Sequence, residues 1–376
     1  MSTKVDPIKL RHKFIASAKM MIEAQAVAIS YNSRFLFTMT GAMVGKYDLK
    51  TNELLQEYWS PEDGLPLPDA WPLHNTCLAV SPDGKKVAVG KEQSAVDVWD
   101  VETGEFLGYC FGGGEYRFGT EKYHDLKHIA FSPDSKHLIG SDSAYCHGWK
   151  MDKPEVRDMP HMGWVSKRWP TESSPTHLAD LSAVNHNGKL LVSSYVSTLM
   201  TSSWHGPPYG YRRIDFAYSV GERHPYQKSS FITAIAIDYD GKHFATGFLD
   251  GTIKLWRAGT NLPIWHILGH GTKESIQNKY GPQPVIVGLS FNRSDQMLIS
   301  VASDNRICCW DIRSRQLKYE ALIPGTRVHS VAFSRDGTTL VTADSRANWR
   351  EVGEPFVFVW DIHENVQQYQ SSRNHD

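Results

Sequence analysis

Histidine and cysteine are the residue types of this chain that could hold a metal ion or act as nucleophiles. There are 17 histidines and 5 cysteines, but they form neither an HExxH nor a CxxC motif, the short spacings that zinc sites use. The odd number and irregular spacing of the cysteines argue against a disulfide framework. The sequence therefore predicts no metal ion and no other cofactor, and it favours a reducing compartment, the cytoplasm or the nucleus.

Glycine and acidic residues offer two other kinds of chemistry, phosphate binding and acid–base catalysis. The glycine run 112–114 follows a predicted strand, whereas a phosphate-binding glycine loop opens a helix. Residues 269–273 lack the GxxxxGK[ST] spacing of a phosphate loop, and the chain has no GxSxG nucleophile motif. Acidic residues occur in several loops, but no spacing singles out a catalytic pair. Catalytic residues are therefore not identified, and enzymatic activity stays undecided.

The elements that must position such side chains repeat along the chain. Each repeat has an apolar alternating run, which indicates a β-strand, followed by a two-residue turn such as Asp83-Gly84 or Asp240-Gly241. Repetition with a period of roughly 20–50 residues is typical of stacked or ring-shaped folds. An aromatic residue closes each repeat, about every fifty positions: Tyr47, Trp99, Trp149, Trp204, Trp256, Trp310 and Trp360.

Several short motifs at concordant offsets resemble the WD40-repeat family. The turn at 81–84 has the family's Ser-Pro-Asp-Gly sequence, and Gly269-His270 matches its Gly-His pair. The Trp-Asp pair that names the family is present at three places: Trp99-Asp100, Trp310-Asp311 and Trp360-Asp361. The resemblance implies an all-β fold, a seven-bladed β-propeller of four-stranded antiparallel blades. It also implies that the repeated tryptophans pack between blades, where each buries roughly 150–250 Å².

We predict a single domain with its ring closed by a strand from one chain end. Residues 9–17 are the favoured closing strand, and residues 366–369 are the alternative. Closure of the ring by either segment removes exposed sheet edges that would otherwise invite aggregation. The predicted blades lie at approximately 23–59, 75–111, 126–159, 178–220, 230–268, 284–322 and 327–362.

Nearly all the insertions that lengthen these repeats fall on one face of the predicted ring, the long-loop face, and the one longer turn on the other face is residues 205–210. This long-loop face carries the second-to-third turns and the links between blades, whereas the opposite short-turn face carries the first-to-second and third-to-fourth turns. Long loops on a rigid frame are commonly functional, and these contain many aromatic residues. The insertions are residues 60–74, 112–125, 160–177, 221–229, 269–284 and 344–355.

Aromatic, arginine and histidine side chains of these insertions are the candidate partner- or ligand-binding residues. Tryptophan, tyrosine and arginine dominate binding hot spots, although the same rings could instead pack loop against loop. The candidates are Asp69, Trp71, His74, Tyr116, Arg117, His124, Trp164, Arg168, Trp169, His224, Tyr226, Trp349 and Arg350.

Two functions are consistent with this pattern. The favoured one is a scaffold that binds a protein or peptide partner through the long-loop face, and the alternative is a small-molecule site or enzyme at the mouth of the ring. The net charge of −1 argues against nucleic-acid or membrane surfaces as partners, since these attract basic proteins. No apolar run reaches the roughly 20 residues that span a bilayer.

Overall fold

The computed structural model describes most of the predicted strands and few of the long insertions. It contains strands and turns, and no helix within the described stretches. These stretches are residues 8–14, 25–40, 43–59, 75–91, 95–111, 126–132, 134–142, 146–151, 181–184, 190–195, 198–204, 211–219, 231–260, 262–270, 284–292, 294, 296–324, 327–345 and 356–362.

The described strands form seven antiparallel sheets, six of four strands and one of three. We number the strands in chain order and the sheets as blades 1 to 7. Blade 1 consists of β2 (Ala26–Ile29), β3 (Phe35–Thr40), β4 (Met43–Asp48) and β5 (Leu54–Trp59). Blade 2 consists of β6 (Asn75–Val80), β7 (Lys86–Lys91), β8 (Ala95–Asp100) and β9 (Phe106–Phe111). Blade 3 consists of β10 (Leu126–Phe131), β11 (His137–Asp142) and β12 (Cys146–Lys150). Blades 4 and 5 consist of β13 (Leu181–Val184), β14 (Leu190–Tyr195), β15 (Thr198–Trp204) and β16 (Tyr211–Ser219); and β17 (Ile232–Ile237), β18 (His243–Phe248), β19 (Ile253–Arg257) and β20 (Pro263–Ile267). Blades 6 and 7 consist of β21 (Ile286–Phe291), β22 (Met297–Ala302), β23 (Arg306–Asp311) and β24 (Gln316–Leu322); and β25 (Arg327–Phe333), β26 (Thr339–Ser345), β27 (Val357–Ile362) and β1 (Ile8–Phe14).

Blade 7 combines strands from the two ends of the described chain. β1 pairs antiparallel with β27, from Ile8 opposite Ile362 to Phe14 opposite Val357. Arg11 also forms an ion pair with Asp361 across these strands. The N-terminal candidate is thus the segment that covers the edge of β27, and residues 366–369 lie outside the described residues.

The first strands of the blades contact one another in a closed cycle. β2, β6, β10, β13, β17, β21 and β25 each lie beside the next, and β25 lies beside β2. One hydrogen bond joins the two ends of this series, from the backbone N–H of Val27 to Oγ of Ser330, at 3.1 Å. The seven sheets and this cyclic order agree with the predicted seven-bladed propeller.

Tight turns join the first and second strands on the short-turn face in blades 1, 2, 5 and 7, where these segments are described in full. Gly84, Gly241 and Gly337 occupy these turns with φ between 68° and 72°, a region that glycine adopts without the steric cost of a Cβ. In blade 2 the Ser81 hydroxyl donates to the Asp83 carboxylate at 2.6 Å and accepts from the Lys86 N–H at 2.8 Å. The Ser-x-Asp sequence therefore specifies the turn by satisfying its polar groups locally.

The hydrophobic core is divided among the interfaces between neighbouring blades. Trp99 clusters with Phe37 of blade 1, and Trp310 clusters with Leu255 of blade 5. The same arrangement recurs for the other repeat aromatics whose side chains are described, each of which is at most 7% exposed: Tyr47, Trp149, Trp256 and Trp360. The predicted packing role is confirmed for these residues, whereas the side chain of Trp204 lies outside the described residues.

Candidate functional site

All the candidate residues chosen from the sequence lie outside the described residues. They fall in the segments 60–74, 112–125, 152–180, 220–230 and 346–355. The strands that flank these segments are described, however, and they belong to antiparallel meanders. In such a meander the links between blades and the second-to-third turns leave from one face. The described strand ends therefore define the long-loop face, although they leave the positions of its predicted contact residues untested.

A β-bulge interrupts the first strand of five blades close to this face. Each bulge inserts one residue that has no opposite partner in the neighbouring strand, and such a residue is redirected relative to the rest of the strand. The inserted residues are Thr76, Lys127, Thr233, Val287 and His329.

The bulge residues of blades 5, 6 and 7 meet in one groove. Thr233, Val287 and His329 line it together with flanking residues of the same strands, and its volume is about 350 Å³. Because β17, β21 and β25 are first strands, the groove lies where the central channel opens onto the long-loop face. The remaining lining residues are Val285, Ile286, Ser303, Arg327 and Val328.

Backbone hydrogen bonds fix the walls of the groove. The Ser303 hydroxyl accepts from the Val285 N–H at 2.9 Å, and the Asn305 amide oxygen accepts from the Val328 N–H at 3.0 Å. The Thr233 hydroxyl, by contrast, has no hydrogen-bond partner among the described residues. A polar atom that is shielded from water without a partner costs about 1–3 kcal/mol, so a ligand that supplies a partner gains affinity.

Charged groups lie on the blade 7 side of the groove. Arg327 is exposed at the start of β25, and His329 acts electrostatically on the buried Asp344 of β26. Burial raises the pKa of Asp344, while the Phe356 N–H, His329 and Lys13 oppose that rise. The groove thus combines apolar lining residues with the exposed guanidinium of Arg327 and the imidazole of His329.

A hydrogen-bonded network supports blade 6 beside the groove. His270 contacts Asp304 through Nδ1 at 3.0 Å and Ser300 through Nε2 at 2.9 Å, and the Trp310 indole N–H donates to the same Ser300 hydroxyl at 2.8 Å. Arg306 donates to Asp304 at 2.8 Å and to the His270 carbonyl at 2.8 Å. These groups satisfy one another, so they hold His270, which follows the last strand of blade 5, against blade 6.

His128 and His329 lie in the first strands of blades 3 and 7, but the cross-strand pairing gives them different positions. His329 is the inserted bulge residue of β25, whereas His128 pairs with Ser141 and the inserted residue of β10 is Lys127. The inserted residue therefore directly precedes the histidine in β10, whereas it is the histidine itself in β25. Only His329 lines the groove.

Burial gives His128 a different role, because it lowers the pKa of this imidazole from 6.5 to about 4. Between pH 6.5 and pH 4 the imidazole of His128 is protonated in the unfolded chain but not in the folded protein. The free energy of unfolding therefore has its full value above pH 6.5 and falls as the pH drops from 6.5 towards 4. Between pH 7 and pH 5 we expect the free energy of unfolding to fall by about 2 kcal/mol less in His128→Gln than in the unaltered protein. Urea unfolding of both proteins at the two pH values measures this difference, and identical losses would contradict the prediction.

Within the described stretches, no group of three or more histidine, cysteine, aspartate or glutamate side chains could hold a metal ion. The groove itself contains one histidine and no carboxylate in its lining. Its described residues can therefore bind and orient a ligand by shape, hydrogen bonds and positive charge. The prediction that the chain has no cofactor stays a prediction.

Thr233, Val287 and Arg327 are not among the residues predicted from the sequence, because they lie in first strands and not in the insertions. The available signal was an extra residue in the alternation of five of the first strands, as in Ile232-Thr233-Ala234. A single additional residue is hard to see in a short strand. The cross-strand pairing makes it evident.

Comparison with known proteins identifies WD40 repeats in this chain. Residues 220–257 and 273–311 match the family model described as "WD domain, G-beta repeat". These stretches contain Trp256 and Trp310, whose indole N–H groups donate to Thr246 and Ser300 respectively. These two stretches are therefore similar to WD40 repeats in sequence.

The names of two curated relatives each mention a complex or a binding partner. The target of rapamycin complex subunit wat1 of Schizosaccharomyces pombe is 28% identical over 124 residues, 32% of this chain and 35% of the relative. The SIR4-interacting protein SIF2 of Saccharomyces cerevisiae is 22% identical over 275 residues, 71% of this chain and 44% of the relative. The chain thus spans less than half the length of either relative. WD40 repeats act as protein-interaction scaffolds, and both names are those of proteins that assemble with others.

Nothing helical in the described stretches has the length and apolar character that crossing a membrane requires.

Proposed function

We propose that this chain, which carries WD40 repeats, is a scaffold that binds a protein or peptide partner through its long-loop face. The groove lined by Thr233, Val287 and His329 is the described part of that surface. The single observation that carries the proposal is that bulges of three consecutive blades place their extra residues in one groove. Its apolar floor and polar rim match the composition of protein interfaces.

The candidate residues of the long insertions belong to the same proposed surface. Trp71, Trp169 and Trp349 are its aromatic anchors, and the net charge of −1 makes a protein a better partner than a nucleic acid or a membrane. We place the protein in the cytoplasm or the nucleus. Cys77, Cys110, Cys308 and Cys309 are buried and unbridged, as expected in a reducing compartment.

Obstruction of the groove tests the proposal. Thr233→Trp places a bulky ring in a groove of about 350 Å³, so we expect at least tenfold weaker partner capture, about 1.4 kcal/mol of binding free energy. The measurement is quantitative mass spectrometry of proteins that co-purify with the tagged chain, followed by titration of the partner it identifies.

The matched control is Thr51→Trp, the same change at an exposed residue of the third-to-fourth turn of blade 1. That turn lies on the short-turn face, so capture should be unaffected. Equal capture by both variants, each with the thermal unfolding midpoint of the unaltered protein, would refute the groove as the contact surface. Trp71→Ala, Trp169→Ala and Trp349→Ala then measure the contribution of the insertions.

A small-molecule site is the second candidate, because the groove is concave and joins apolar residues to the unsatisfied Thr233 hydroxyl. Its size lies at the lower end of known ligand sites. A ligand present at a hundred times its Kd should stabilise the fold by about 2.7 kcal/mol. A metabolite screen by thermal unfolding, with Thr233→Trp abolishing any shift, distinguishes this candidate from the scaffold.

A further inference from the structure

Two of the five inserted bulge residues are threonines, and they differ in how their hydroxyls are satisfied. The Thr76 hydroxyl of blade 2 donates to Sγ of the adjacent Cys77 at 3.6 Å. The Thr233 hydroxyl of blade 5 is shielded from solvent and has no hydrogen-bond partner among the described residues. The residue that follows it is Ala234, whose side chain has no polar atom. The local sequence therefore provides a partner for the first hydroxyl but not for the second.

The bulge itself does not require a hydroxyl. In blade 6 the inserted residue is Val287, which has the branched shape of threonine and no polar atom in its side chain. Valine at position 233 would thus avoid the cost of a shielded hydroxyl without a partner. Strand packing alone does not account for the Thr233 hydroxyl, which belongs to a residue that lines the groove.

The other lining residues define which chemical group could accept from this hydroxyl. The Ser303 hydroxyl accepts from the Val285 N–H at 2.9 Å and is able to donate its own hydrogen at the same time. The lining contains no carboxylate that would attract a cationic group. Its aliphatic members are Val285, Ile286, Val287 and Val328. The groove therefore favours an apolar group that carries a hydrogen-bond acceptor.

On the basis of the proposed scaffold function, we infer that the groove receives an aliphatic residue of the partner and that the Thr233 hydroxyl donates to the main-chain carbonyl of that residue. Rotation about the Cα–Cβ bond of Thr233, between staggered conformations, directs the hydroxyl into the groove without moving the backbone. The aliphatic side chain covers the apolar lining residues. The carbonyl supplies the acceptor that the hydroxyl lacks in the free protein.

A neutral carbonyl matches these donors better than a carboxylate does. The hydroxyls of Thr233 and Ser303 are uncharged, and a desolvated carboxylate needs a paired charge to offset the loss of its hydration. Arg327 is exposed at the start of β25, so a carboxylate beside it would stay in contact with water. The partner residue that enters the groove is therefore valine, isoleucine or leucine and not aspartate or glutamate.

Selection from a random peptide library displayed on phage, with the intact chain immobilised, tests the preference of the groove. We expect the enriched peptides to share one aliphatic position, at which lysine or aspartate weakens binding at least tenfold. A thioamide in place of the carbonyl of that residue is a poorer acceptor. It should weaken binding to the unaltered protein but not to Thr233→Val, because the two changes remove the same hydrogen bond.

Two matched valine variants isolate the contribution of the hydroxyl. Thr233→Val keeps the shape of the side chain, so we expect about three- to tenfold weaker binding of an enriched peptide. Its thermal unfolding midpoint should be equal or higher, because a hydroxyl without a partner has been removed. Thr76→Val is the same change at the inserted residue of blade 2, which is not a lining residue of the groove. It should bind the peptide as the unaltered protein does.

Equal affinity of Thr233→Val and the unaltered protein for an enriched peptide would overturn the inference, as would a shared position that is acidic, basic or aromatic. A lowered unfolding midpoint of Thr233→Val, or the enrichment of no peptide, would overturn it as well. The scaffold proposal is decided separately, by partner capture with Thr233→Trp, so it is able to survive each of these results.

Discussion

Replacement of Trp256 by alanine is expected to lower the free energy of unfolding by about 3–5 kcal/mol, the usual cost of removing a large buried aromatic side chain. Trp256 is 1% exposed, stacks on Phe244 with an interplanar angle of 8°, and belongs to the cluster that joins blades 4 and 5. Its loss therefore opens a cavity between two blades. Urea unfolding followed by circular dichroism measures the change.

Two further substitutions separate packing from hydrogen bonding at Trp256. Trp256→Phe keeps an aromatic ring but removes the indole N–H that donates to Thr246 at 2.9 Å, so we expect a smaller loss of about 1–2 kcal/mol. Trp59→Ala removes an exposed indole from β5, 49% accessible to solvent, and should change stability by less than about 1 kcal/mol. Similar losses for Trp59→Ala and Trp256→Ala would contradict the packing role.

Disruption of the buried ion pair between Lys91 and Asp97 should cost a similar amount, about 3–5 kcal/mol, because either residue alone would be a buried charge that has lost its oppositely charged partner. Lys91 is the last residue of β7 and Asp97 lies within β8, and their side chains are 7% and 4% exposed. Asp97 is opposite Val89 in the sheet. In blades 5 and 6 the residue that corresponds to Val89, ten positions before the repeat tryptophan, is Thr246 or Ser300, whose hydroxyl accepts the indole N–H.

A double-mutant cycle measures the coupling between the two charges. Lys91→Met and Asp97→Leu should each be strongly destabilising, whereas the double variant should be much less so, since two apolar side chains avoid the cost of burying charge. The exposed pair of Lys242 and Asp240, with nitrogen and oxygen 2.9 Å apart, is the comparison. Its disruption should cost less than about 1 kcal/mol. Additive effects of Lys91→Met and Asp97→Leu would exclude the predicted coupling.

The sequence alone determined the repeat, its strands and the role of its aromatic residues, because these depend on local patterns. Alternation with period two selects a strand, and an Asp-Gly pair such as Asp240-Gly241 selects a tight turn. Tryptophan at a constant offset indicates a position that is buried in every blade. The burial of Trp99 and Trp310 between neighbouring blades follows from those patterns.

Only the tertiary structure decided which residues meet. His128 and His329 look alike in sequence, yet a bulge places one of them in the groove and pairs the other within its sheet. The closing strand was also ambiguous, because pairing with the edge of β27 is a long-range contact that no local pattern encodes. Likewise, Tyr31 and Arg335 are about three hundred residues apart, and their side chains come together because the ring closes. Local sequence specifies conformation, whereas a site built from several blades depends on how the closed ring brings distant turns and strand ends together.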